Sequence, residues 1–297
     1  MALILTFKQP PINFRFLSKY NFEQIDDLTY ELASKPNEEP ITSISESAYR
    51  GCKLLESVVI PNSVKSIDAF AFMGCASLKS VVMPNSVKTI DNFAFFNCAS
   101  LESVVIPNSV KTIGYEAFQG CTSLESVVIG LSVTNIGNSA FDNCRLLESV
   151  VIPDSVKSIG NYAFFECESL VSVTISDSVE SIGNFAFYFC KSLKSVVVGL
   201  SVKTIGNEAF RGCTSLESIV IPDSVNTIGN GAFAYCESLE SIIIPDSVIS
   251  VQEDIFINCP SLKTVTINGP LTEYLKEYFE TNYPKIDLEF PDQYLLK

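Results

Sequence analysis

The chain has 297 residues, 47% of them hydrophobic and only 18% charged, so it has ample material for a continuous core and few charges to spread over its surface. Twenty basic against 34 acidic side chains leave a formal net charge of −14, which repels phosphate backbones and anionic lipid and argues against nucleic acid as a partner. No apolar tract reaches the ~18 residues of a membrane span, so membrane insertion is not expected.

Residues 1–7 (MALILTF) are apolar but lack a basic start, and Lys8, Pro10 and Pro11 break the run before a signal-peptide core can form. Residues 1–40 follow no repeat. Phe14, Phe16, Leu17 and Phe22 give this stretch enough apolar surface to cover one end of a repeat array, and it is expected to be an N-terminal cap. Ile41, Ile44, Ala48 and Tyr49 then open a half repeat that leads into Cys52.

From there the ten cysteines form one arithmetic series: Cys52, Cys75, Cys98, Cys121, Cys144, Cys167, Cys190, Cys213, Cys236 and Cys259, each 23 residues after the last. A fixed period of this length is the mark of a solenoid. Each repeat reads C-x-S-L-x-S-V-V-I-P-x-S-V-x-x-I-G-x-x-A-F-x-x, as in CASLESVVIPNSVKTIGYEAFQG at residues 98–120. Twenty-three residues are too few for the helix pair of an ankyrin or tetratricopeptide unit. The short Val/Ile tract suits one strand, in which Val104 and Ile106 share the core face and Val105 points the other way. Val110 and Ile113 face the core in a second extended piece, Gly114 permits a turn, and Ala117 with Phe118 is expected to close the coil as a short helical or 3₁₀ corner. The same phenylalanine recurs from Phe72 to Phe256, and once more at Phe279.

The pattern L-x-x-V-x-I followed by P-x-S resembles the leucine-rich-repeat core. The longer frame P-x-S-V-x-x-I-G-x-x-A-F-x-x-C resembles the BspA-like (Treponema-type) leucine-rich-repeat family over roughly residues 41–269. That resemblance implies an α/β repeat solenoid, a right-handed coil with a concave parallel β-sheet, short helical or 3₁₀ corners and capped ends. A right-handed parallel β-helix is the alternative fold. Ser109 and its equivalents stand where the common repeat has asparagine, which predicts a loop ladder with fewer hydrogen bonds. Beyond Pro270, residues Leu271, Tyr274, Leu275, Tyr278 and Phe279 have helical spacing up to Pro284, and Ile286, Leu288 and Phe290 alternate like a strand. Residues 270–297 are expected to be the C-terminal cap.

The chemistry of the repeat points away from catalysis. Histidine is absent, no nucleophile-elbow or phosphate-loop motif occurs, and the serines recur at scaffold positions without a base beside them. A straight column of cysteines cannot converge on a tetrahedral metal, so no cofactor is expected. The thiols are either buried small hydrophobes or, in an oxidising compartment, rung-to-rung disulfides. Two surfaces remain as candidates for binding a protein. One is the expected concave stripe of Val82, Val105, Val128, Val151, Thr174, Val197 and Val220, with Ser103, Ser126 and Ser149 in the hydroxyl row alongside; strand propensity alone would also explain its valines. The other is a lateral set, Phe70, Phe93, Phe96, Tyr162, Phe165, Phe185 and Tyr188, which either packs between rungs or forms exposed patches. Self-association through the stripe is open. The missing signal peptide and free thiols favour the cytoplasm, whereas the family resemblance implies cell-surface adhesins that contact host or matrix proteins.

Overall fold

The β-branched tract of each repeat pairs with the same tract one repeat later, so every residue faces its own counterpart 23 positions on. A computed structural model describes residues 3–7, 22–24, 29–32, 40–252, 254–268, 272–284 and 286–289, which fall into two units, Met1–Leu147 and Glu148–Lys297. The chain is a parallel-strand leucine-rich-repeat solenoid.

In the first unit the strands Ser80–Val82, Ser103–Val105 and Ser126–Val128 follow Leu55–Val59 in one parallel sheet, with Val104 opposite Val127 and Val105 opposite Val128. In the second unit Ser149–Ile152, Ser172–Ile175, Ser195–Val197, Ser218–Val220, Ser241–Ile244 and Thr264–Ile267 repeat the arrangement. A second sheet of two-residue strands, such as Thr112–Ile113 beside Asn135–Ile136 and Ser181–Ile182 beside Thr204–Ile205, runs along another side of each coil.

Alternation sorts the side chains as expected. Val104, Ile106, Val110 and Ile113 are buried, as are Leu101 and Cys98. The phenylalanines stack into a column: in the first unit Tyr49, Phe72, Phe95, Phe118 and Phe141 lie 5.1–5.3 Å apart, centroid to centroid, with near-parallel rings. In the second unit Phe164, Phe187, Phe210, Phe233, Phe256 and Phe279 form a stack of the same kind at 5.3–6.0 Å. Each inner ring of a stack therefore gains aromatic contact above and below in addition to its burial.

The Ala-Phe corner departs from the helical or 3₁₀ expectation. It is a chain of tight turns in which alternate N–H groups serve different partners. Phe185, Phe187 and Phe189 donate to Asn207, Ala209 and Arg211 of the next rung, all at 2.8 Å, while Tyr188 and Cys190 close turns onto Phe185 and Phe187. A helix would send all these donors along its own axis and leave the rungs unlinked. The turns require a left-handed residue twice per rung, for instance Glu116 (φ 52°) and Gly120 (φ 73°). Gly114 is not one of them. A Cβ there would sit 2.6 Å from the Asn92 nitrogen and the Asp91 carbonyl carbon, so this glycine serves close approach between rungs rather than turn conformation.

Both ends of the array carry non-repeat elements. The strand Ile4–Phe7 pairs antiparallel with Leu55–Val59 on one side and Thr29–Leu32 on the other, and Phe22–Gln24 extends the set; Leu3 and Leu5 are buried. At the other end the helix Thr272–Asn282 places Phe279 on Phe256, and Asp287–Glu289 adds a parallel strand with Leu288 opposite Val265. Phe14, Phe16, Leu17, Pro270, Leu271 and Phe290 lie outside the described residues.

Candidate functional site

The strand pleat turns one β-branched side chain per rung to solvent. In the first unit Val82, Val105 and Val128 are 56%, 61% and 58% exposed. In the second, Val151, Val197, Val220 and Ile243 are 52–75% exposed and Thr174 is exposed with them. Strand pairing holds each within one rung of the next, about 4.8 Å. The hydroxyls Ser103 and Ser126 in the first unit and Ser149, Ser172 and Ser195 in the second are exposed beside them. At the outermost rungs the stripe tapers: Val59, paired with Ile4, and Thr266, whose hydroxyl donates to Glu289, are half-buried.

Leu131 in the first unit and Leu200 in the second, each 69% exposed, stand close to this stripe in sequence. Each follows a glycine that replaces the proline of P-x-S, and their backbone N–H groups donate to Asn108 Oδ1 and Asp177 Oδ1 at 3.0 and 2.8 Å. The signal was present as G-L-S in two repeats, but an apolar residue at a position elsewhere held by Asn or Asp is invisible to a consensus.

The lateral aromatics pack between rungs and still show their edges. Phe70 stacks on Phe93 at 4.8 Å, and Phe93 meets Phe96 edge-on. In the second unit Tyr162 stacks on Phe185 at 4.7 Å and Phe165 on Tyr188 at 4.8 Å, with Phe185 and Tyr188 joined edge-to-face. Phe70, Phe93, Tyr162 and Phe185 all hold φ between 58° and 60°. Left-handed backbone is costly for a bulky residue, on the order of 1–3 kcal/mol. The aromatics occur in pairs on successive rungs, and ring stacking offsets part of that cost. Stacking consumes the ring faces, so the patch offers edges rather than a flat platform.

The cysteines are free. Eight are buried, and Cys52 and Cys259 at the ends are half-buried. Within both units thiols reach back to the rung before: Cys98 Sγ–H donates to the Phe72 carbonyl at 3.2 Å, Cys121 to Phe95, and Cys213 to Phe187. Burial raises their pKa, for Cys121 up to about 12 and for Cys52 and Cys259 to about 11. A thiol held protonated this way is a poor nucleophile and metal ligand. No group of three or more Cys, Asp or Glu side chains among the described residues is placed to hold a metal ion.

Two polar ladders bind the rungs. Of the serines that replace the common asparagine, Ser109 and Ser224 donate to the Val87 and Val202 carbonyls at 2.5 and 2.7 Å, whereas the equivalent Ser86 and Ser155 hydroxyls are buried without a partner among the described residues. The amide ladder has moved to the residue after the glycine: Asn161, Asn184 and Asn207 accept, through Oδ1, the backbone N–H of Asn184, Asn207 and Asn230 at 2.8–3.0 Å. In the first unit Asn92 accepts from Tyr115 at 2.8 Å.

Strand, turn and ladder together define a leucine-rich-repeat protein. The family described as "BspA type Leucine rich repeat region" matches residues 42–171 and 157–286, and the chain belongs to it. Among solved structures, the Treponema pallidum leucine-rich-repeat protein is 32% identical, with 62% of this chain covering 83% of that one and a TM-score of 0.51. A leucine-rich-repeat protein from Bacteroides ovatus is 26% identical, with 91% and 90% covered and a TM-score of 0.40. A leucine-rich cell-surface protein from Faecalibacterium prausnitzii is also 26% identical, with 87% and 86% covered and a TM-score of 0.45. A search of curated proteins finds no match. No helix among the described residues is long and apolar enough to cross a membrane.

Proposed function

We propose that the protein is a non-catalytic binding module that takes a protein partner on the solvent face of its strand sheet. The observation that carries this reading is the column of exposed β-branched side chains in each unit, Val82, Val105 and Val128 in the first and Val151, Val197 and Val220 in the second. Such surface is favourable to cover, at about 25 cal/mol per Å² of apolar area, and contiguous apolar patches of this kind mark contact sites. The serines beside it supply hydrogen-bond donors and acceptors at the margin. A cell-surface adhesin, the role implied by the family resemblance, would use the same face against a host or matrix protein.

The test is recovery of partner by the intact chain and by three variants. Val82→Lys with Val105→Lys and Val128→Lys burdens the first unit, and Val151→Lys with Val197→Lys and Val220→Lys the second. Phe185→Ser with Tyr188→Ser alters only the lateral patch. Loss in either lysine variant with retention in the lateral one is the expected result. Loss in the lateral variant alone would move the binding face to the corner. Sedimentation of the same variants separates a second copy of the chain from a different partner.

A further inference from the structure

The two units carry the same apolar stripe between different margins. Three residues past the outward strand residue, the first unit places Asn62, Asn85 and Asn108, all exposed and neutral. The second unit places Asp154, Asp177, Asp223 and Asp246 at the same repeat position, again exposed. On the other margin, just before the hydroxyl row, both units are mixed, with Glu102, Glu125 and Lys79 in the first and Glu148, Glu217, Glu240, Lys194 and Lys263 in the second, so the units differ in the Asn and Asp column. Glu240 is paired with Lys263 at 3.6 Å, and Asp177 accepts from the Leu200 N–H. No ion pair holds Asp154, Asp223, Asp246, Glu148 or Glu217 among the described residues.

Building on the sheet-face reading above, we infer that the second unit's face takes a cationic polypeptide segment, whose apolar side chains cover the Val151, Val197 and Val220 stripe while its lysines or arginines meet the carboxylates on both margins. The first unit, with amides in place of the aspartates, offers carboxylates on one margin only and holds such a segment less tightly. Carboxylates on successive rungs, such as Asp223 and Asp246, repel one another, and a polycation relieves that repulsion. A metal ion cannot, because it needs three or more ligands converging on one point and these run in columns. The apolar strip between the columns calls for a partner that brings apolar side chains as well as charge, which a polypeptide supplies.

An alternating lysine–valine peptide is the probe, with a glutamate–valine peptide as its counterpart, followed by fluorescence anisotropy on the full chain. The lysine peptide should bind at least about tenfold more tightly at low salt and weaken as salt rises. Asp154→Asn with Asp223→Asn and Asp246→Asn should weaken it about tenfold, since three surface pairs at a few tenths to one kcal/mol each are removed. Glu180→Gln with Glu237→Gln and Glu277→Gln removes the same charge from exposed sites off the face and should change binding less than about twofold. Equal loss in both triple variants would mean that only the overall negative field attracts the peptide, and it would overturn the inference; so would an unchanged aspartate variant. Val151→Thr with Val197→Thr and Val220→Thr separates the two readings, because Thr174 already occupies the same repeat position. If this variant binds as tightly as the parent while the asparagine variant does not, the stripe is not the binding surface. If the threonine variant loses the peptide and the asparagine variant keeps it, the stripe binds without regard to charge and only the present inference falls. Circular dichroism confirms that all three variants fold, their targets being exposed.

Discussion

Phenylalanine and valine columns run the same way along the rungs, one residue each per repeat, and their fates are opposite. Phe72, Phe95 and Phe118 have no measurable exposure, whereas Val82, Val105 and Val128 keep more than half of theirs. A residue that recurs in every repeat therefore carries either the fold or a surface, and regularity alone cannot say which. What decides is phase: an odd or even place in the strand, or a place inside or outside the turn. Energy separates the columns too, because the buried side chains are enclosed and stacked ring on ring while the exposed ones keep most of their surface in water.

The buried interior can be broken most heavily through its cysteines. In the folded chain Cys98, Cys190 and Cys236 are held well above the ordinary thiol value of 9.0, chiefly by burial. A raised pKa means that the folded state keeps its proton while the unfolded state gives it up, so stability is full below about pH 9 and falls as pH rises further. Each thiol that stays protonated contributes a slope of about 1.4 kcal/mol per pH unit, and the slopes add along a unit. Urea melts at several pH values should show unfolding midpoints dropping steeply above pH 9, less so when Cys98 and Cys121 are both replaced by serine, which does not ionise in this range.

Phe187→Ala should cost about 3–5 kcal/mol, since it empties a buried site and removes two ring contacts at 5.3 Å. Hydrogen exchange should place the loss in the rungs on either side, because stability in a repeat array is carried by nearest neighbours. A cost below about 1 kcal/mol would put this column on the same footing as the valines.

Asn207→Ala removes the nearer of two acceptors of the Asn230 N–H, leaving Gln252 Oε1 at 3.2 Å, and its own N–H still bonds to Asn184. The expected loss is about 0.5–1.5 kcal/mol by thermal melting, and Asn207→Asp should recover most of it because a carboxylate can also accept. The smallest effect belongs to the exposed column: Val197→Lys should shift stability by no more than about 0.5 kcal/mol, even as it abolishes partner binding. A large destabilisation there would show that the stripe is structural after all.

Much of this was legible in the chain itself. Period, strand position, the outward turn of Val105 and the inward turn of Val104 and Ile106 all follow from the spacing of β-branched residues. The corner did not, because Ala117 and Phe118 are compatible with a helical turn and nothing local says that Glu116 must be left-handed; the bonds to the next rung impose that. The asparagine column was hidden for a similar reason. Its value lies in a bond between residues 23 apart, and a search for asparagine at the place usual for these repeats finds Ser109 instead. Ile4–Phe7 lies within residues 1–40, expected as an N-terminal cap without a strand, since its strand exists by pairing with Leu55–Val59, far along the chain. The stripe was located correctly as exposed surface, while its margins acquired meaning only when Asn108 and Asp223 were set side by side as equivalents.

The constant register of 23 residues has a genetic consequence. Because Ser103 meets Ser126, and Ser195 meets Ser218, a repeat duplicated or deleted between two such rungs leaves every remaining residue with a neighbour of the same kind. Unequal recombination within the coding sequence can thus lengthen or shorten the protein in steps of about 4.8 Å without redesigning a junction. Each step adds or removes one outward β-branched residue, one stacked ring and one thiol, so copy number becomes an inherited dial on the extent of the exposed stripe.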